Sequence, residues 1–172
     1  MMAVDGADRP VAGAGSQLGW LLWSGALDEH AAEAAADRLV RPDVLTDFGV
    51  RTLSVDHPRF GPALYHRGAV WPFDNWIAWG ALRAMRRSAD ADRIRTGVLK
   101  AVRKLGRYPE LYAVHTSGQL LAVPVANQVQ AWTVGAMVAF GSGWDGHRSS
   151  GQETPVGRPG VDARPNPVDA AP

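Results

Sequence analysis

The clearest helical period runs from Asp28 to Leu39, where Ala31, Ala35 and Leu39 recur at i, i+4 and i+8 while Glu33 and Asp37 occupy other faces. Its alanines favour helix and close packing, and Arg38, Arg41 and Pro42 mark its end, because a proline pushes the residue before it out of helical geometry. Ahead of it, Leu18, Leu21 and Leu22 with Trp20 and Trp23 predict a shorter buried helix. A further helix is predicted from about Phe73 to Arg87, with Trp76, Gly80 and Arg83 on one line and Ile77, Ala81, Leu82 and Met85 on the neighbouring face. Ile94, Val98, Ala101, Val102 and Leu105 form the stripe of the next, starting at Asp90 or Ala91, with Arg93, Arg95, Lys100, Arg103 and Lys104 on its wet side. Gln128 to Phe140 is nearly uncharged around its circumference, which predicts an inner helix covered on several faces.

No stretch alternates convincingly between apolar and polar positions, so the expected class is all-α. The connections at 43–72 and 106–127 are long and rich in aromatic and polar residues, more than a bundle needs, and are the expected place for function. Residues 1–15, rich in Ala and Gly, read as a flexible lead-in. From Gly141 to Pro172 there are six glycines, five prolines and one aromatic, Trp144, too little apolar area to offset ordering entropy, so 141–172 is expected to be disordered. The folded unit is then 16–140.

The 172 residues allow one domain, and 18 basic against 17 acidic side chains give a formal net charge of +1, which offers no field for nucleic acid or anionic lipid. The apolar runs are far shorter than the roughly 20 residues of a membrane span, and no signal-peptide pattern is visible, so a soluble cytoplasmic protein is expected. With no cysteine, disulfides, thiolate nucleophiles and cysteine-ligated metals are excluded. The five histidines are scattered without a ligand spacing, and neither a phosphate loop, a dinucleotide fingerprint nor a nucleophile elbow is present, so no metal and no cofactor is expected.

The densest chemistry is Tyr65-His66-Arg67-Gly68-Ala69-Val70-Trp71-Pro72-Phe73-Asp74-Asn75-Trp76. Aromatic faces beside Asp, Asn, Arg and His suit a sugar, which offers apolar ring faces and a rim of hydroxyls. The bland alternative is that the tryptophans fill a core, Asp74 caps a helix and Arg67 pairs with it. Glu110, between Tyr108 and Tyr112, is either a carboxyl tuned for proton transfer or activation of water, or a surface carboxylate paired with Arg107. Arg51 is a candidate partner for a sugar hydroxyl or carboxylate, and Gln130 or Trp132 can line a sugar pocket at a helix start.

In this order, Leu21-Leu22-Trp23-Ser24-Gly25, Gly49-Val50-Arg51-Thr52-Leu53-Ser54, Tyr65 to Asn75, Pro109-Glu110-Leu111-Tyr112, and Pro124-Val125 through Gln130-Ala131-Trp132 resemble the C-terminal region of bacterial and archaeal glycogen debranching enzymes of the amylo-alpha-1,6-glucosidase type. The resemblance implies an all-α, partial (α/α)6 toroid of six-hairpin glycosidase-like form, whose inner helices ring a pocket. It implies hydrolysis of α-glucosidic bonds in glucans or oligosaccharides, with inversion, one carboxylic acid protonating the leaving oxygen and a carboxylate roughly 6.5–9.5 Å away activating water. By resemblance Glu110 is the general base, and Arg51, His66, Arg67, Trp71, Asp74, Asn75, Gln130 and Trp132 line the pocket or position substrate. The acid-bearing segment lies upstream in that family and is not matched here, so an incomplete catalytic domain is expected. Its bare apolar surface would receive the missing N-terminal half or a second copy. The reading from a different class is a non-catalytic carbohydrate-binding or assembly module.

Overall fold

The computed structural model describes residues 3, 4 and 6–141. Five helices dominate: α1 (Gln17–Ser24), α2 (Glu29–Leu39), α3 (Pro72–Ala84), α4 (Ser88–Leu105) and α5 (Ala131–Gly141). Each predicted helix is present, and the class is all-α. The Asp28 side chain caps α2 by accepting from the Ala31 amide at 2.8 Å, and Gly25 closes α1 in the left-handed conformation. Pro72 opens α3, where its missing N–H costs nothing. α3 stops at Ala84, three residues before the expected end, and Arg86 then turns left-handed.

Short antiparallel ribbons join the helices: β1 (Ala3–Val4) with β2 (Pro10–Val11), β3 (Leu45–Thr46) with β4 (Gly49–Val50), and β5 (Tyr112–Val114) with β6 (Leu120–Ala122). They escape a periodicity reading because two or three residues carry no alternation. Single bridges extend them, Arg51 to Val70 and Val70 to Tyr112, so the two long connections are stitched together at the start of α3. The expected disordered tail, from 142 onward, lies outside the described residues.

α3 is the hub, packed against α1, α4 and α5. Its buried Trp79 meets Phe140 of α5 edge to face at 5.3 Å, and Leu39, Leu82, Ile94 and Val98 fill the same core. Gly19 of α1 crosses α3 at Ala78 so closely that a Cβ there would stand 2.6 Å from the Ala78 Cβ. Two expectations about burial are corrected. α1 buries Gly19 and Leu22 only, leaving Trp20 40% and Trp23 46% exposed, because one face alone meets α3. α5 buries Thr133, Ala136, Ala139 and Phe140, while Val138 is 65% exposed, so it is covered on one side rather than all round.

The starts of α1, α3 and α5 meet. Trp20 packs against Phe73 at 5.4 Å between ring centres, and Phe73 against Trp132 at 5.8 Å. Three alternate helices therefore begin at one end, where the ribbons also gather.

Candidate active site

A continuous aromatic floor occupies that end. Trp71 leads into α3, and its indole N–H donates to the Tyr65 carbonyl at 2.9 Å, which fixes the ring plane. His66 stacks on it almost parallel, 9° between planes at 5.5 Å, and Tyr65 meets its edge at 4.6 Å. On the other side Trp132 lies 6.5 Å away, followed by Phe73 and Trp76. Trp71 is nearly buried whereas Trp132 keeps 38% of its surface, so the floor is open to solvent through Trp132, His66 and Tyr65. Offset aromatic rings of this kind offer a platform for an apolar sugar face.

Glu110 borders the floor. It is 8% exposed, and its carboxylate accepts from the Tyr65 hydroxyl on Oε1 and from the Asn127 amide at 3.3 Å on Oε2. The loop that carries it is anchored to the start of α5: the Glu110 amide donates to the Asn127 carbonyl at 2.8 Å, the Gln130 amide to the Tyr108 carbonyl at 2.8 Å, and the Thr133 hydroxyl to the Pro109 carbonyl at 2.8 Å. This anchoring holds 128–130 extended beside Tyr108 and delays α5 to Ala131, three residues after the expected start. The alternative pairing with Arg107 is not formed, since that guanidinium takes the Gln128 side-chain oxygen and the Leu105 carbonyl. The phenol of Tyr65 is raised above its ordinary value, first by its hydrogen bond to Glu110, then by desolvation and the carboxylate charge.

Asp74 stands near the other end of the floor. It neither stays a simple cap nor pairs with Arg67: its carboxylate accepts from the Ser16 hydroxyl at 2.5 Å and from the Trp20 indole N–H at 3.0 Å, tying α1 to α3. Asn75 is fully buried, and its amide is committed to backbone, donating to the Val50 and Trp71 carbonyls at 3.1 and 2.8 Å and accepting from the Val50 amide at 2.7 Å. Both N–H donors are spent and the oxygen faces backbone, so the amide is turned away from a sugar. Arg51 is likewise buried, donating to the Val114 and His115 carbonyls and lying over the Phe60 ring at 5.4 Å, with burial drawing it below its ordinary value. Its partners put it under the connecting ribbons, where it clasps β5.

The structure thus brings together Glu110, His66, Trp71 and Trp132, and places Asp74 beside them through the Trp20–Phe73 contact. Arg67 is exposed on the Tyr65 loop and Gln130 is half-buried at the entry to α5. Tyr65 stands in the sequence as one aromatic among several, with no role of its own; its partner is 45 residues away and no local pattern announces the pair. Ser16, 58 residues from Asp74, is hidden for the same reason. Among the described residues, no group of three or more His, Asp or Glu side chains can hold a metal ion, and no helix is long and apolar enough to cross a membrane.

The mannosylglycerate hydrolase MGH1-like glycoside hydrolase domain matches residues 2–113. Among solved structures, GH63 mannosylglycerate hydrolase from Thermus thermophilus in complex with glucose aligns with a TM-score of 0.66 at 24% identity, over 79% of this chain and 31% of its own. An uncharacterized conserved protein from the same organism aligns at 0.63 and 23% identity, over 79% and 32% of the two chains. The mannosylglycerate hydrolase in complex with Tris and D-glycerate aligns at 0.59 and 21% identity, over 78% and 31%. No curated protein matches the chain. The chain spans about a third of the length of these structures, and their likeness shows the fold, a partial (α/α) toroid of the six-hairpin glycosidase kind. The expected identity as a glycogen debranching enzyme of the amylo-alpha-1,6-glucosidase type is overturned by this family match. The motifs behind it fix helix starts, an aromatic floor and a carboxylate, none of which distinguishes one sugar linkage from another. The chain belongs to the mannosylglycerate hydrolase MGH1-like glycoside hydrolase domain family.

Proposed function

We propose that the chain is the base-bearing part of an inverting glycoside hydrolase that cleaves a hexose from a small acid such as glycerate. The observation that carries this reading is the placement of Glu110: a shielded carboxylate at the border of an aromatic floor, with one oxygen on a phenol and the other on a backbone amide. The sugar stacks on Trp132, which Trp71 backs, His66 and Arg67 contact its hydroxyls or the acid, and Gln130 borders the opening. Glu110 takes a proton from water as that water attacks the anomeric carbon. Inversion requires a second carboxyl, as acid, roughly 6.5–9.5 Å from the base. We assign it to hairpins of the ring other than those described. Asp74, Asn75 and Arg51 then act indirectly, by fixing α1, the start of α3 and β5. The choice of a hexosyl glycerate follows from the family match and from the glucose and D-glycerate bound by the Thermus proteins. The absence of cysteine suits a reducing compartment, and we place the activity in the cytoplasm.

The test is release of free hexose from mannosylglycerate and glucosylglycerate, measured with the wild type and with Glu110→Gln. Release that falls at least about a hundredfold in the variant supports the assignment. Release unchanged by Glu110→Gln removes it. One observation favours a second reading, a non-catalytic carbohydrate-binding or assembly module: the bare apolar faces of α1 and α5 leave the arc unclosed by this chain's described residues. Binding of the glycoside without turnover, even when acid-bearing hairpins are supplied, would support that reading over the first.

A further inference from the structure

We propose that Tyr65 is the positioning residue of Glu110, holding its carboxylate turned toward the floor. This rests on the reading of Glu110 as the general base.

Two hydrogen bonds fix the Glu110 carboxylate, and they differ in kind. The Asn127 amide is backbone, locked by the reciprocal bond from the Glu110 amide to the Asn127 carbonyl. It sets where the carboxylate sits. The Tyr65 hydroxyl is a side-chain donor, reaching across from the other long connection and bonding the other oxygen. A carboxylate bonded on one oxygen alone can still rotate about its last bond; the second donor stops that rotation. Tyr65 is in turn braced, because its ring meets Trp71 and His66 edge to face and its carbonyl receives the Trp71 indole N–H. The element that offers a sugar its stacking face therefore also aims the base. Tyr65 is half exposed, so its hydroxyl is not needed to complete a core.

The chain has three tyrosines, Tyr65, Tyr108 and Tyr112, which makes phenol ionisation a readable signature. Tyr112 is fully buried and titrates far above the ordinary range. In the intact 172-residue chain, the near-ultraviolet phenolate titration is followed in the wild type, Glu110→Gln and Tyr65→Phe. The expected result is one raised phenol besides Tyr112 in the wild type, brought down toward about 10 by Glu110→Gln and absent in Tyr65→Phe. A second raised phenol, beyond Tyr112, that Glu110→Gln leaves in place overturns the pairing.

A second measurement separates aiming from packing. Tyr65→Phe keeps the ring against Trp71, so its urea midpoint is expected to match the wild type. Its Glu110 is expected to react several-fold faster with a water-soluble carbodiimide, located by peptide mass, because a carboxyl released from the phenol is free to turn toward the reagent. Equal labelling rates overturn the positioning role. If both signatures appear while Glu110→Gln leaves hexose release unchanged, the pairing is real and the base assignment is what fails.

Discussion

The side-chain amide of Asn75 and the backbone amide of Val50 bond each other in both directions, at 2.7 Å from the Val50 N–H and 3.1 Å to the Val50 carbonyl. Asn75 thereby continues the β4 ribbon from inside α3. The contact is possible because Gly49 has φ +113° and no side chain: a Cβ at Gly49 would lie 2.7 Å from the Asn75 oxygen.

Asn75→Leu is expected to destabilise the fold by about 3 kcal/mol, since it strands the buried Val50 N–H and removes a donor from the Val50 and Trp71 carbonyls. A urea titration followed by tryptophan fluorescence measures the loss. A shift under about 0.5 kcal/mol would mean that water or a local rearrangement satisfies Val50.

Trp132 is more than a third exposed, touching Trp71 and Phe73 by its faces. Trp132→Ala is expected to weaken glycoside binding about tenfold, equivalent to about 1.4 kcal/mol, with little change in unfolding midpoint. Calorimetric titration with the glycoside decides it, and undiminished affinity would take the indole out of the binding surface.

Acid stability should report on Asp43. Burial works against its charge, but hydrogen bonds from Arg38 and Ser54 and the charge of Arg38 outweigh it and hold the carboxyl below its ordinary 3.8. A folded-state value depressed in this way adds stability that is complete above the unfolded value and is lost as pH falls through the folded one. Wild-type stability is expected to decline below about pH 4, and Asp43→Asn to be less stable than wild type at neutral pH with a shallower decline. Parallel pH profiles of the urea midpoint would contradict this.

The uncovered edge of α5 predicts association. Val134 and Val138 lie one turn apart and face outward, and Leu21 and Trp23 of α1 are also partly exposed. Val138→Lys is expected to reduce the self-association of the chain in sedimentation velocity while leaving stability within about 0.5 kcal/mol. A wild type that is monomeric at high concentration would show that these faces do not attract a second copy.

The helices are legible in the sequence because each carries a stripe several turns long, as from Ile94 to Leu105. What the stripe does not reveal is whether every face is covered. The same leucines and tryptophans of α1 that suggest burial stand partly in water, because coverage depends on neighbours and not on the residues themselves. At the site, Glu110 and the Trp71 segment stand out by their chemistry, as does Trp132. Asn75 and Arg51 stand out equally, yet their polar groups are turned to carbonyls of distant ribbons. Composition does not separate a polar residue that faces ligand from one that staples backbone; only the tertiary partners do. The debranching resemblance fails at the same point, since shared floor residues say little about the bond to be cut.

The contact of Gly19 with Ala78 sets how closely α1 crosses α3. With hydrogen on one side and a methyl on the other, the two helices meet without a side chain between them. Any larger residue at position 19 would act as a wedge. It would splay the two helices and pull Trp20 away from Asp74 and Phe73. A hydrogen atom in a short helix thus keeps one end of the aromatic row joined to the rest.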